Sequence, residues 1–298
     1  MTQLTTINTG NFASMAKVMG IANEKTSSSS SSLARLRINH APIMGTAEVN
    51  GKKVNVEVVE GGAYKLEIPD GPAYYAASIK MRPFMQRFMH KRFIQSDGKN
   101  PNRYVKTVMS DDLDIDLKDN AGGFNCGKSA GYIKDWQALP QDVKDKLRSI
   151  KRVRVVFGEV EMINPTNDKG EPVEVEPTAF IWEIDNKDAF KEIGTNFATL
   201  AKMQRLPVQH IITVESSERK IPTGASYYVP ITSLDVTNAV EPSESDNVLL
   251  GDFISWVDNY NNYILAEWSK KANSHMDDDD VDVVDGIVDI EIDEEDAA

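Results

Sequence analysis

The densest chemistry in the chain lies between Tyr74 and Lys106. Lys80, Arg82, Arg87, His90, Lys91, Arg92, Lys99, Arg103 and Lys106 are interleaved with Tyr74, Tyr75, Phe84, Phe88, Phe93 and Tyr104, and no acidic residue falls between Asp70 and Asp97. Cations neutralise phosphates and release their counterions, while aromatic rings stack on unpaired bases whatever their identity. The mixture points to a surface for single-stranded nucleic acid. Lys80, Arg82, Arg87, Lys91, Arg92, Arg103 and Lys106 would meet phosphates, and Tyr74, Phe84, Phe88 and Tyr104 would meet bases. The bland counterpart is a solvated basic face over ordinary aromatic core. A second basic patch comprises Lys144, Lys146, Arg148, Lys151, Arg152 and Arg154. It reads equally as a groove wall or as a strand with charged edge residues. Arg152 and Arg154 join the candidate binding set, as do Arg219 and Lys220 from a later loop.

Two further constellations resemble catalytic or metal sites. Gly122 to Ser129 reads GGFNCGKS, a literal match to G-x-x-x-x-G-K-S. In a true phosphate-binding loop of this kind, backbone amides and the lysine cradle a nucleotide between a strand and a long helix. Here Gly131 and Pro140 follow closely and leave little room for that helix. Phe180 to Asp185 (FIWEID) is the available partner strand for a magnesium ion. The alternative is a glycine-rich turn with Lys128 open to a phosphate. Asp111, Asp112, Asp114, Asp116 and Asp119 form an acidic run whose alternation could hold a divalent cation, though it lacks the Gly and distal Glu of an EF-hand loop. A polar edge strand is the plainer reading. His40, His90, His210 and His275 have no metal-ligand spacing. Cys126, the single cysteine, excludes an intrachain disulfide and has no evident histidine partner. No catalytic residue, metal or cofactor is assigned, and a non-enzymatic protein is the expectation.

Charge is concentrated at the C-terminus. Twelve of the 46 carboxylates lie from Asp277 onward, and no Lys or Arg follows Lys271. The 33 cations of the chain therefore face 34 acidic groups in a nearly neutral body. Like charges at this density repel one another and stay solvated, so residues 272–298 read as a disordered acidic tail. Asp277, Asp278, Asp279, Asp280, Asp293, Glu294, Glu295 and Asp296 are its candidate partner-binding residues. No apolar run approaches membrane-spanning length and no signal peptide is evident, which together with the lone cysteine suits a reducing cytoplasm.

These groups must be positioned by a mainly β body. Residues 1–32 read as a short helix (Phe12, Met15, Ala16 and Met19 on one stripe) followed by a serine-rich tether, Ser27 to Ser32. Strands are expected at Leu33 to Asn39, Ala63 to Ile68, Arg103 to Met109, Lys151 to Ile163 and Phe180 to Ile184. Asn50-Gly51 suits the positive φ angles of a hairpin turn between Ala47–Val49 and Lys53–Val59. Gly158 marks a bulge or tight bend. The window from Lys80 to Arg92 is open between two periods. As a strand it puts Lys80, Arg82, Phe84, Gln86, Phe88, His90 and Arg92 on one face, and as a helix after Pro83 it buries Phe84 and Phe88.

One helix is expected after an Asp185 or Asn186 cap, with Ala189, Phe190, Ile193, Phe197, Leu200 and Ala201 as its buried stripe. Strands Val208 to Val214 and Ser226 to Val236 follow. A final helix from about Asn247 to Lys271 carries Leu250, Phe253, Ile254, Val257, Tyr260, Ile264 and Trp268, widened by Trp256 and Tyr263, and is well buried or sits at an interface. Strands, a helix and a closing hairpin is the order of an OB-fold. The expected body, residues 33–271, is an enlarged OB-fold-like antiparallel barrel with a C-terminal helix, and an antiparallel α+β sandwich is the runner-up.

An OB-like body, a basic-aromatic surface and an acidic C-terminus together resemble the single-stranded DNA-binding proteins of tailed bacteriophages. The stretches NCGKSAGYIKDWQALP, KRVRVVFGEVEM, FIWEIDNKDAFKEIG and ERKIPTGASYYVPITSLD, within Asn125 to Asp235, are similar in character to phage replication-module proteins. The resemblance implies coating of single strands in replication and recombination, in the host cytoplasm, and contact of the tail with a polymerase or helicase. Tails of that family commonly end in an aromatic residue, whereas this one ends Ala297–Ala298. Val281, Val283, Val284, Ile287, Val288, Ile290 and Ile292 are alternative anchors. A homo-oligomer is compatible with this reading, and a scaffolding role, a nucleotide-hydrolysing role through Lys128 and a DNA-mimic role for the tail remain as rivals.

Overall fold

The computed structural model describes residues 33–49, 52–96, 101–130, 135–221, 224 and 226–274. The helix and tether expected within 1–32, and the acidic tail from Asp277, lie outside the described residues. In chain order the elements are β1 (Ala34–Ile38), β2 (Ile43–Val49), β3 (Lys52–Val59), β4 (Tyr64–Glu67), β5 (Ala73–Ala76), β6 (Ser78–Ile94) and β7 (Arg103–Lys106). They continue with α1 (Gln141–Ser149), β8 (Ile150–Ile163), β9 (Thr178–Ile184), α2 (Lys187–Lys202), β10 (Ile212–Lys220), β11 (Ser226–Leu234) and α3 (Glu244–Ser274).

The result is a mixed α/β architecture with one large, mostly antiparallel sheet and, among the described residues, three α-helices, one of them C-terminal. The nine-stranded sheet runs β11-β10-β6-β8-β9-β1-β4-β5, with β7 also on β6, while β2 and β3 form the expected hairpin apart from it. Only the β1–β9 pairing is parallel within this order. The ladder does not close into the expected barrel. Its β5 end meets the segment after β8 through a single bridge, Tyr75–Thr166, whose two N–H···O bonds are 2.9 and 2.8 Å.

Alternation along β8 builds two cores at once. Val156, Val160 and Met162 join Leu36, Tyr64, Leu66, Ile79, Met81, Trp182, Ile193 and Phe197 on the α2 side. Val153, Val155 and Phe157 join Phe84, Met85, Met89, Phe253 and Val257 on the α3 side. Side chains of a strand point alternately to opposite faces, so one strand with apolar residues at both parities can feed both layers. Helix α2 begins where Asn186 accepts the Asp188 and Ala189 amides at 2.9 and 3.0 Å. Its Ala201, expected on the buried stripe, is exposed. On α3, Phe253, Val257 and Ile264 are buried as their spacing predicts, whereas Ile254 and Tyr263 face outward. Val208 lies in a 3-10 turn, Pro207–Gln209, instead of a strand, and Arg219 and Lys220 are the last residues of β10, not a loop.

The basic-aromatic window is a strand of 17 residues, but a bulge divides it. Pro83 pairs with Gly158 and Met85 with Phe157, so Phe84 is the extra residue. A Cβ at Gly158 would lie 2.4 Å from the Arg82 carbonyl oxygen, so only glycine admits this approach. The bulge changes the parity. Arg82 and Phe84 reach α3, whereas Phe88 packs on Phe190 of α2. The single face expected for Lys80 through Arg92 is thus split across the sheet. No helix among the described residues is long and apolar enough to cross a membrane.

Candidate nucleic-acid interface

The far half of β6 and its edge partner β7 bring cations and rings to the surface together. The register sets Lys91 opposite Lys106, Phe93 opposite Tyr104 and Ile94 opposite Arg103. Phe93 is 45% exposed and Tyr104 53% exposed, with ring centroids 4.9 Å apart. Large rings on an antiparallel pair normally use such cross-strand contact to leave water, yet here both remain open to it. Lys91 Nζ lies 5.4 Å from the Tyr104 ring centroid, a cation–π arrangement. Glu183 on β9 stands between the two lysines, 3.6 Å from Lys91 Nζ and 3.3 Å from Lys106 Nζ, and Asp185 is 3.5 Å from Lys91. Arg103 is exposed beside Tyr104.

Other candidate residues are dispersed. Lys80 pairs with Glu161 at 3.2 Å on the surface. Arg82 is committed to Asp246 of α3, and Phe84 is buried edge-on against Phe253. Arg87 donates to the Gln86 carbonyl at 2.9 Å and lines a cavity of about 260 Å³ with Asp111, Asp258 and Asn261. Tyr74 packs against the core on the α2 side. Arg219 and Lys220 are exposed, but the β10–β6 register carries them beyond Ser78, toward the opposite end of β6 from Phe93.

On the α2 face the same end of the sheet is also cationic. Phe88 opposes Arg154 and His90 opposes Arg152 on β8. Arg154 is 8% exposed. Its guanidinium lies 5.0 Å from the Phe88 ring centroid and 4.4 Å from that of Phe190, its Nε donates to the Phe190 carbonyl at 3.2 Å, and it also donates to Gln86 Oε1. Burial, then repulsion from Arg152, lowers its pKa to about 10, so it remains charged at neutral pH. These contacts hold α2 to the sheet. Arg92 donates through Nε to Ser149 Oγ at 2.9 Å, and Arg152 is exposed. His90 is 2% exposed, and burial pushes its pKa down to about 4, with Lys128 and Arg152 adding repulsion. It is neutral at pH 7.

The GGFNCGKS segment departs from a nucleotide-binding loop at two points. Several of its amides are already occupied: Asp119 Oδ1 accepts from Gly123 at 3.0 Å, as from the preceding Ala121 at 2.9 Å, and Oδ2 accepts from Cys126 at 3.0 Å. Residues 127–130 are turn, loop and bend, without the helix that such a motif opens into. The acidic run is therefore no edge strand. Asp119 is buried as an internal anion, and Asp116 Oδ1 accepts from Asn125 Nδ2 and the Ala130 amide at 3.0 and 3.1 Å. Among the described residues, no group of three or more His, Cys, Asp or Glu residues could hold a metal ion. The loop also grips the end of α3, where Trp268 Nε1 donates to the Gly123 carbonyl at 3.1 Å and Lys271 Nζ to that of Asn120 at 2.5 Å.

Phe93 lies within the basic-aromatic window without being one of its stacking candidates, and Lys128 and Lys146 lie outside the expected binding set. Alternation could have paired Phe93 with Lys91, but its exposure depends on β7 being an edge strand. Nothing in the spacing brings Lys146 of α1 to Gly127, where a Cβ would meet its Nζ at 3.0 Å. Comparison of the chain with family models, with curated proteins and with solved structures finds no significant match.

Proposed function

We propose that this chain binds single-stranded DNA without regard to sequence, in replication and recombination, within the cytoplasm of a cell that is a host if the protein is viral. The observation that carries the proposal is the exposed Phe93–Tyr104 pair, with Lys91 and Lys106 on the same face and Arg103 exposed next along the edge strand. Rings left in water beside cations suit bases and phosphates of an unpaired strand. Phe93 joins Tyr104 at this site, while Arg82 and Phe84 serve the fold. The curl implied by the Tyr75–Thr166 bridge, with α2 packed over the inner cluster, supports a body related to an opened OB-fold.

The acidic tail is proposed as an internal competitor and as the recruiter of a polymerase or helicase. The end of α3 lies beside the glycine-rich loop, because Trp268 and Lys271 are bonded to that loop. A tether gives a local concentration up to about the mM range, and non-specific DNA sites bind at roughly 10⁻⁴ to 10⁻⁶ M at physiological salt. The tail then competes with a weak ligand and yields to a long strand. Fluorescence-anisotropy titrations with oligo-dT, duplex and RNA across salt test the function. Preferential, salt-dependent binding of oligo-dT is expected, tightening at low salt when residues 277–298 are deleted. Absence of binding to all three would remove the proposal.

A scaffolding role is the second reading. It is favoured by Val248, Ile254 and Tyr263, large apolar residues exposed on α3. It predicts concentration-dependent assembly and no salt-dependent nucleic-acid affinity.

A further inference from the structure

We propose that Lys128, Arg152 and Lys146 form a phosphate subsite at the glycine-rich turn, separate from the Phe93–Tyr104 step, and that it holds one backbone phosphate of the bound strand. This second clause rests on the strand-binding function proposed for the chain.

Three elements deliver the cations. Arg152 comes from β8, opposite His90 of β6. Lys128 comes from the loop and is half-buried, with its charge felt at His90 and repelled by Arg152. Lys146 comes from α1, its Nζ 3.0 Å from the position of a Cβ at Gly127, whose φ is +94°. A side chain there would displace the lysine.

The site is electrostatically unbalanced when empty. Among the described residues, no carboxylate reaches salt-bridge distance of Lys128 or Arg152, and the attraction acting on Lys128 comes from Asp114. Burial and Arg152 both lower the Lys128 pKa. Like charges gathered beside a half-buried lysine repel, and an anion bound among them offsets that repulsion. His90 supplies a second sign at one ring nitrogen, although the Leu113 backbone and the Asp114 charge also act on the ring. Its Nδ1 is buried and is the one buried side-chain polar atom among the described residues that lacks a hydrogen-bond partner. Such groups are rare because leaving a buried polar atom unpaired is costly. A neutral imidazole beside Lys128 and Arg152 suits a tetrahedral phosphate, whose oxygens accept from several sides, better than a planar carboxylate with its two oxygens.

The phosphate could be a strand's diester or free inorganic phosphate, and the test separates them. In the full-length protein, the His90 ring signals are assigned by NMR with a His90→Gln variant, then followed on adding inorganic phosphate and, separately, oligo-dT. The salt dependence of oligo-dT affinity is compared with a Lys128→Gln/Arg152→Gln double variant. Oligo-dT is expected to shift the His90 signals in the wild type and not in the double variant, whose log–log salt slope falls by about 1 to 2. If oligo-dT binds with an unchanged slope and unmoved His90 signals, the subsite is overturned while strand binding stands. If inorganic phosphate moves His90 and oligo-dT does not bind, the subsite belongs to free phosphate and the strand-binding function falls. If neither ligand moves His90, the subsite is overturned.

Discussion

Both arms of the Arg82 guanidinium are taken by one carboxylate, with Nη1 donating to Oδ1 of Asp246 and Nη2 to Oδ2, each at 2.8 Å. The same arginine donates through Nε to the Val208 carbonyl at 2.7 Å, and Asp246 Oδ2 accepts from the Ser243 amide at 2.7 Å. A bidentate pair of this geometry is strong and directional. It fastens the first turn of α3 to β6 and to the turn before β10. The side chains are 16% and 11% exposed, so the charges are substantially withdrawn from water.

Asp246→Asn is therefore expected to cost roughly 3–5 kcal/mol of stability, because Arg82 is left desolvated without its counter-charge. A urea midpoint reads the loss. Arg82, with help from Ser243, holds the Asp246 carboxyl below the usual carboxylate range. This contribution is complete above the unfolded carboxylate pKa and is lost as pH falls through the lowered folded value. The variant should lack that part of the acid dependence and, while folded, should bind oligo-dT as the wild type does.

Arg82 also illustrates what the sequence could disclose. An alternating reading of Lys80 to Arg92 correctly describes a strand, and the periodicities of β8, α2 and α3 are equally plain because burial selects apolar residues at fixed spacing. The bulge at Phe84 was hidden, because it follows from Pro83 meeting Gly158 on another strand. Helix α1 is hard to read from sequence because Val143 and Leu147 are its only apolar residues, too few to set a period. At the candidate site, composition disclosed the presence of cations and rings. Their division between two faces, and the occupation of Arg82 by Asp246, came from pairings distant in sequence.

Asp119 is expected to control access to Cys126. Its carboxylate accepts three backbone amides, including that of Cys126 itself. Burial and the Asp119 charge push the thiol up to about 12. Asp119→Asn removes the charge-assisted bonds, a loss of roughly 1.5–3 kcal/mol if they act as one unit, and it also removes the repulsion of thiolate. Reaction of the single cysteine with a disulfide reagent at mildly alkaline pH should accelerate by on the order of tenfold or more. An unchanged rate would mean that the loop does not depend on this carboxylate.

Glu183 restrains two cations of the proposed interface. Its carboxylate lies 3.6 Å from Lys91 Nζ and 3.3 Å from Lys106 Nζ. Glu183→Gln frees Lys106 for phosphate and leaves Lys91 with Asp185 alone, so oligo-dT binding should tighten and its salt slope should steepen by about 1. Equal affinities and slopes for the two proteins would place the lysines outside the strand's path.

The most direct measurement is an oligo-dT anisotropy titration of the wild type and a Phe93→Ala/Tyr104→Ala variant, from about 50 mM to about 200 mM salt. Both rings are exposed, so the variant should retain its thermal unfolding temperature. The account predicts salt-sensitive binding by the wild type and a loss of roughly 1–3 kcal/mol per stacked base in the variant, which is about tenfold or more in Kd. Equal affinity of the two proteins, or wild-type affinity indifferent to salt, would contradict it.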